Sequence, residues 1–106
     1  MIPLREFCFS DGSSPFGKWF DELDNVAALK VNTALTRMTT GNFGQCKSLG
    51  GGIHECRIEH GPGYRVYFGK EGDKLILLLA GGTKRRQQAD IDKAREHWKI
   101  HRSRKQ

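Results

Sequence analysis

Cysteine is scarce in this 106-residue chain, which holds only Cys8, Cys46 and Cys56. An odd, scattered set argues against a secreted, disulfide-framed fold. No Cys-x-x-Cys pair is present, so a structural zinc site is not expected either. Long apolar runs are also lacking. The longest, Leu75 to Ala80, falls far short of the roughly 20 residues that cross a bilayer. Arg5 and Glu6 interrupt the first ten residues, so no secretory leader is expected. These absences point to a cytoplasmic protein with no membrane partner. There is no His-Glu-x-x-His, no Gly-x-Ser-x-Gly and no dinucleotide fingerprint. The three glycines 50–52 are not followed by Gly-Lys-Ser/Thr, so they are read as a flexible hairpin connection, not a phosphate loop. His97 and His101 are four apart but have no neighbouring carboxylate ligand, so neither a metal nor a cofactor is expected.

Negative charge is the other shortage. Twelve acidic residues face eighteen Lys and Arg, a net charge of +6. A field of that sign attracts phosphate backbones. The length suits one domain, expected over residues 1–100. Residues 101–106 form a basic tail, expected to be disordered from Arg102 onward.

The apolar pattern gives an α+β order. Residues 2–9 read as a strand. Ser14-Pro15 is a helix start, followed by Phe16, Trp19, Phe20 and Leu23 at helical spacing. Asp24-Asn25 breaks that helix and caps a second, carrying Ala27, Val31, Ala34, Leu35 and Met38 and stopping at Gly41. A short strand is expected at 46–49. From Ile53 the period becomes two: strands at 53–59, 64–69 and 74–80 are separated by turns at 60–63 and 71–73. The last strand is almost wholly aliphatic and should be covered on both faces. A helix is expected over 87–99, with Asp90 and Asp92 explained by its N-terminal dipole.

Alternation on the strand from Tyr64 puts Val66 and Phe68 on one face, towards the helices, and Arg65 and Tyr67 on the other. That second face is expected to be open. Arg57 should join Arg65 there, with Lys47 on the adjoining strand and Lys84, Arg85 and Arg86 at the rim. Such a face neutralises phosphates, and Tyr67 offers a stacking platform for a base. Lys93 and the basic C-terminus add affinity for the backbone.

The stretch Glu55 to Phe68, containing Gly61-Pro62-Gly63-Tyr64-Arg65-Val66-Tyr67-Phe68, resembles the signature of addiction-module killer proteins in the RelE/ParE toxin superfamily. Leu77 to Lys84 looks like that family's strand end, Gln87-x-x-Asp90-Ile91-x-x-Ala94 also fits its pattern, and residues 16–23 resemble its first helix. The resemblance implies a RelE-like fold: two N-terminal helices packed on a small, mainly antiparallel sheet, plus a C-terminal helix. It implies a toxin neutralised by a cognate helix-turn-helix antitoxin, possible as a heterotetramer. It also implies an enzyme, a metal-free endoribonuclease that cleaves mRNA on the ribosome. The RNA's own 2′-hydroxyl would attack and leave a cyclic phosphate. By motif position Arg65 should hold the scissile phosphate, and Arg57 and Lys84 should stabilise developing charge. Lys47 is a candidate base or second clamp; arginine neighbours would favour its neutral form. The chain departs from the RelE pattern at Glu55, where many members carry lysine, and has no C-terminal tyrosine. His54 and His97 therefore stand as further acid–base candidates. The alternative within the superfamily is a ParE-type toxin that binds and inhibits DNA gyrase.

Overall fold

The computed structural model describes residues 1–105. Its strands are β1 (Leu4–Glu6), β2 (Cys46–Gly50), β3 (Ile53–Ile58), β4 (Tyr64–Glu71) and β5 (Leu75–Thr83). Its helices are α1 (Pro15–Asp21), α2 (Asn25–Thr39) and α3 (Gln87–Arg104), the last entered through a 3-10 turn at Lys84–Arg86. None is long and apolar enough to cross a membrane among the described residues.

Local chemistry sets the helix starts. The Ser14 hydroxyl accepts the Gly17 N–H at 2.9 Å, with proline in the first turn. The Asp24 carboxylate accepts the Ala27 N–H at 2.9 Å. Each satisfies a backbone donor that the helix cannot. At the far end of α2 the chain leaves through Gly41 at φ 89°.

The five strands form one sheet in the order β1-β5-β4-β3-β2. Strands β2 to β5 make an antiparallel meander, whereas β1 runs parallel to β5, Leu4 opposite Ile76. Helices cover both faces. Phe16, Val31, Leu35 and Met38 of α1 and α2 pack with Cys56, Ile58, Val66, Phe68, Ile76 and Leu78. On the opposite face Ala94 and Trp98 of α3 pack with Phe7, Ile53, Tyr67, Leu77, Leu79 and Ala80.

This arrangement corrects the expected fold. The protein is a five-stranded mixed sheet with strands dominating the core, not two N-terminal helices on a small, mainly antiparallel sheet. The parallel edge strand was hidden by the brevity of β1, which spans Leu4–Glu6 rather than residues 2–9. The second face is also closed, not open. A register shift in β5 leaves Leu79 as an extra residue between Leu78, opposite Phe68, and Ala80, opposite Tyr67. Leu77, Leu79 and Ala80 thus all join the α3 layer. Burying an aliphatic side chain of this size contributes about 2 kcal/mol, so the face cannot stay wet.

Helix α3 also continues to Arg104, beyond the expected end at 99 and through most of the expected tail; Gln106 lies outside the described residues. Its far end is tied down by Lys105, whose ammonium donates to Glu71 Oε2 at 2.6 Å. Its middle grips the glycine hairpin. Trp98 Nε1 donates to the Gly51 carbonyl at 2.9 Å and Arg95 Nη2 to the Leu49 carbonyl at 2.9 Å. The segment 50–52 is therefore a docking point for α3. At Gly69, in β4, a Cβ would collide with the Trp98 ring.

Candidate nucleic-acid interface

At one end of the α3-covered face the apolar packing gives way to a buried polar group. Glu55 comes from β3, Arg65 and Tyr67 from β4, and Gln87 and Asp90 from the first turns of α3. Glu55 is 1 % exposed, Arg65 6 %, Tyr67 0 % and Asp90 5 %. Gln87 Nε2 donates to Glu55 Oε2 at 2.7 Å. The other carboxylate oxygen lies 3.8 Å from Arg65 Nε and 3.8 Å from Lys47 Nζ. Glu55 thus sits between two cations and a neutral donor.

Asp90 reaches this group because β5 carries glycine at position 82. A Cβ there would collide with the Asp90 carboxylate. Arg65 and Gly82 are directly opposed in the β4–β5 register. Burial pushes the Asp90 carboxyl above the ordinary range, against the pull of Arg86 and Lys93. Burial likewise pushes the Tyr67 hydroxyl up, reinforced by the Glu55 and Asp90 carboxylates. Glu55 Oε1, Arg65 Nε, Tyr67 Oη and Asp90 Oδ2 are all buried with no hydrogen-bond partner among the described residues. An unmet buried polar atom costs about 1–3 kcal/mol. Four such atoms in one place, two of them facing each other as the Arg65–Glu55 ion pair, mark a candidate functional cluster.

The rim is cationic and exposed. Lys84, Arg85 and Arg86 form the 3-10 turn, and Lys93 follows on α3. The Lys84 N–H donates to the Gly63 carbonyl at 2.8 Å, locking the rim to the Gly61-Pro62-Gly63 turn. A Cβ at Gly63 would lie 3.9 Å from an Arg65 guanidinium nitrogen and 3.6 Å from Lys84 Cβ. The turn, Arg65 and Lys84 are therefore neighbours. Arg57 is half exposed, its Nε 4.0 Å from Glu59 Oε1.

The structure brings Lys47, Arg65 and Lys84 into this region, but not as an open sheet face. Arg65 is buried and paired, because α3 covers the face on which it lies. Tyr67 is wholly buried under the same helix and offers no stacking surface. Arg57 and Arg65 are opposed across β3 and β4, yet only Arg57 reaches solvent. Lys47 meets the Glu55 carboxylate rather than a cluster of arginines, so a clamp role suits it better than that of base.

The two histidines lie elsewhere. His97 Nδ1 is 2.8 Å from the Leu79 carbonyl and its ring stacks on Phe7 at 4.9 Å, inside the core. His54 stacks on Phe68, in the α1–α2 layer, where burial and then Lys70 lower its basicity. His101 Nε2 faces Glu71 at 3.8 Å, so the two α3 histidines have separate partners.

Sequence reasoning misses Asp90, Gln87 and the inward role of Glu55. Asp90 does lie in the first turn of α3, as the dipole reading expects, but it is also buried against the sheet; the residue preceding α3 is Arg86 and makes no side-chain cap. The available signal is spacing: Asp90, Ala94, His97 and Trp98 all lie on the buried stripe of α3.

No protein-family model matches the chain. It is 43 % identical over 81 residues to an uncharacterized protein of Haemophilus influenzae, covering 76 % of this chain and 82 % of that one. The chain belongs to that protein's family. Members of this family at such identity share a fold, so the buried polar group can be sought in both chains.

Proposed function

We propose that this protein binds RNA through the rim around Lys84 and acts as the toxin of a toxin–antitoxin module, cleaving mRNA on the ribosome. One observation carries the reading. Lys84, Arg85 and Arg86 stand at the N-terminal end of the 18-residue α3, beside a buried group of incompletely bonded acid–base residues. Three cations at the positive end of a helix dipole repel one another and the helix. No side chain caps that end. An anionic phosphate relieves both penalties.

The cleavage chemistry is built from the residues next to the rim. A 2′-oxygen forms the new bond to phosphorus and loses its proton to a base, while the 5′-oxygen leaves and takes a proton from an acid. Glu55, held between Lys47 and Arg65, suits the base. Asp90, whose carboxyl burial shifts above the ordinary range, suits the acid. Arg65, oriented by Glu55, stabilises charge on the crowded phosphorus, and Arg57 and Lys84 supply further cations. Arg65 reaches the phosphate only if the rim opens slightly, as its side chain is 7 % exposed. The Gly-Pro-Gly-Tyr-Arg block that resembles the RelE/ParE toxins supports this reading, with a cytoplasmic site of action and a helix-turn-helix antitoxin as partner.

Controlled expression followed by mapping of mRNA 5′ ends tests the proposal, beside a triple Lys84→Ala, Arg85→Ala, Arg86→Ala control. All three side chains are exposed, so the fold should persist. Cuts within translated frames that vanish in the control support the reading. Growth arrest with intact mRNA overturns it and favours a gyrase-directed toxin.

A further inference from the structure

The α1–α2 side of the sheet holds a second group of chemically active side chains, unrelated to the polar cluster. Cys46 of β2 and Cys56 of β3 are directly opposed. The Arg57 N–H donates to the Gln45 carbonyl at 3.1 Å, while the Cys46 N–H turns away to the Phe43 carbonyl at 3.0 Å. The ladder bonds therefore belong to the flanking pair, and the cysteines occupy a non-hydrogen-bonded position. Side chains at such positions approach most closely, with Cβ atoms about 5 Å apart. The third member comes from the last full turn of α2: Cys46 Sγ lies 3.8 Å from Met38 Sδ.

We propose that Cys46, Cys56 and Met38 form a three-sulfur site for a soft monovalent metal ion, Cu(I). Two thiolates and a thioether are the donors that select Cu(I) over hard or nitrogen-seeking ions. The spacing fits. Three planar donors around an ion with bonds of about 2.3 Å, typical of metal–thiolate contacts, stand about 4 Å apart. The Cys46–Met38 separation already has that value. Cys46 is part-exposed and gives the access, whereas Cys56 and Met38 are 3 % and 1 % exposed behind it. All three line a groove of about 510 Å³ between α2 and the β2–β3 edge, together with Lys30, Arg37 and Arg57. Lys30 and Arg37 offset the single negative charge that two thiolates and one Cu(I) leave behind, while Glu59, which also lines the groove, is met by Arg57. No group of three His, Cys, Asp or Glu residues suited to a metal occurs among the described residues. The thioether is what completes this site.

Binding breaks two S–H bonds, releases two protons to water and forms two thiolate–copper bonds, with a lone pair donated from Met38. No electron changes hands. Cys8 takes no part, its thiol being engaged with the Glu6 carbonyl at 3.6 Å.

The reduced full-length chain, titrated without oxygen against a coloured Cu(I) chelator, tests the assignment. One Cu(I) per chain should pass to the protein. Met38→Leu, which conserves volume, should weaken binding at least tenfold with an unchanged circular dichroism spectrum. Cys46→Ser should abolish competition with the chelator, and Cys8→Ser should change nothing. X-ray absorption at the copper edge should find three sulfur neighbours. Binding in Met38→Leu equal to that of the native chain, or loss of binding in Cys8→Ser, overturns the site. Because Met38→Leu keeps both thiols, its result holds even if Cys46→Ser unfolds the chain.

Discussion

The Asp90 carboxylate occupies the space that a side chain at position 82 would fill, so Gly82 and Asp90 are a matched pair across β5 and α3. The bare backbone of β5 lets an acidic side chain lie flat on a sheet that is otherwise covered by Leu77, Leu79 and Ala80. Gly82→Ala should therefore cost about 1–3 kcal/mol by overpacking. The double variant Gly82→Ala with Asp90→Ala should recover most of that loss. Urea unfolding of the two singles and the double measures the coupling; strictly additive effects would contradict the pairing.

Asp90 also gives stability a pH dependence of known sign. Burial raises its carboxyl in the folded chain. Below the ordinary carboxylate range both folded and unfolded chains hold the proton, and Asp90 contributes no slope. As pH rises from that range through the raised folded value, the unfolded chain releases the proton first, and stability falls. Asp90→Asn should remove this loss, so its advantage over the native protein grows with pH across that window. In a cleavage assay the same variant should be inactive at every pH, since it has no proton to give.

Arg65 is a poor choice for a mutation meant to spare the fold. Removing its guanidinium takes from the buried Glu55 its one buried counter-charge; breaking such a pair costs about 3–5 kcal/mol, of which Lys47, 3.8 Å away, offsets part. Arg65→Ala should unfold at clearly lower urea than the native chain, and adding Glu55→Gln should restore part of the midpoint. Loss of toxicity in Arg65→Ala alone therefore cannot separate chemistry from folding.

Lys84 is the cleaner probe of RNA binding. Its side chain is exposed, and its backbone makes the local bonds: the N–H donates to the Gly63 carbonyl and the carbonyl accepts the Gln87 N–H. Lys84→Ala should weaken RNA binding across sequences and reduce the slope of log affinity against log salt by about 1. Fluorescence anisotropy at several salt concentrations reads both. An unchanged slope would place the phosphate elsewhere.

Trp98 reports the docking of α3. Its indole N–H donates to Gly51 and its ring lies over Gly52 and Gly69. Trp98→Phe should cost about 1 kcal/mol for the hydrogen bond, plus the packing lost over Gly69. Hydrogen exchange should quicken in the 50–52 hairpin before it does in α2.

Sequence alone determined the elements and their order: the Ser14 and Asp24 caps, the helical stripe from Ala27 to Met38, and the three strands after Ile53. These rest on local periodicity and on backbone donors satisfied within a few residues. Alternation likewise put Arg65 and Tyr67 on the face opposite Val66 and Phe68. What alternation cannot say is which distant segment covers a face. The buried stripe of α3 includes Asp90 and His97, so its apolar signal is weak, and only its packing over Gly69 and Gly82 reveals that the second face is closed. That closure turned Tyr67 from a stacking platform into core, and Arg65 from a surface cation into the buried partner of Glu55. It also placed Asp90 beside the cationic rim. Those outcomes depend on contacts between residues far apart in the chain, where burial and steric fit, not local pattern, set the free energy.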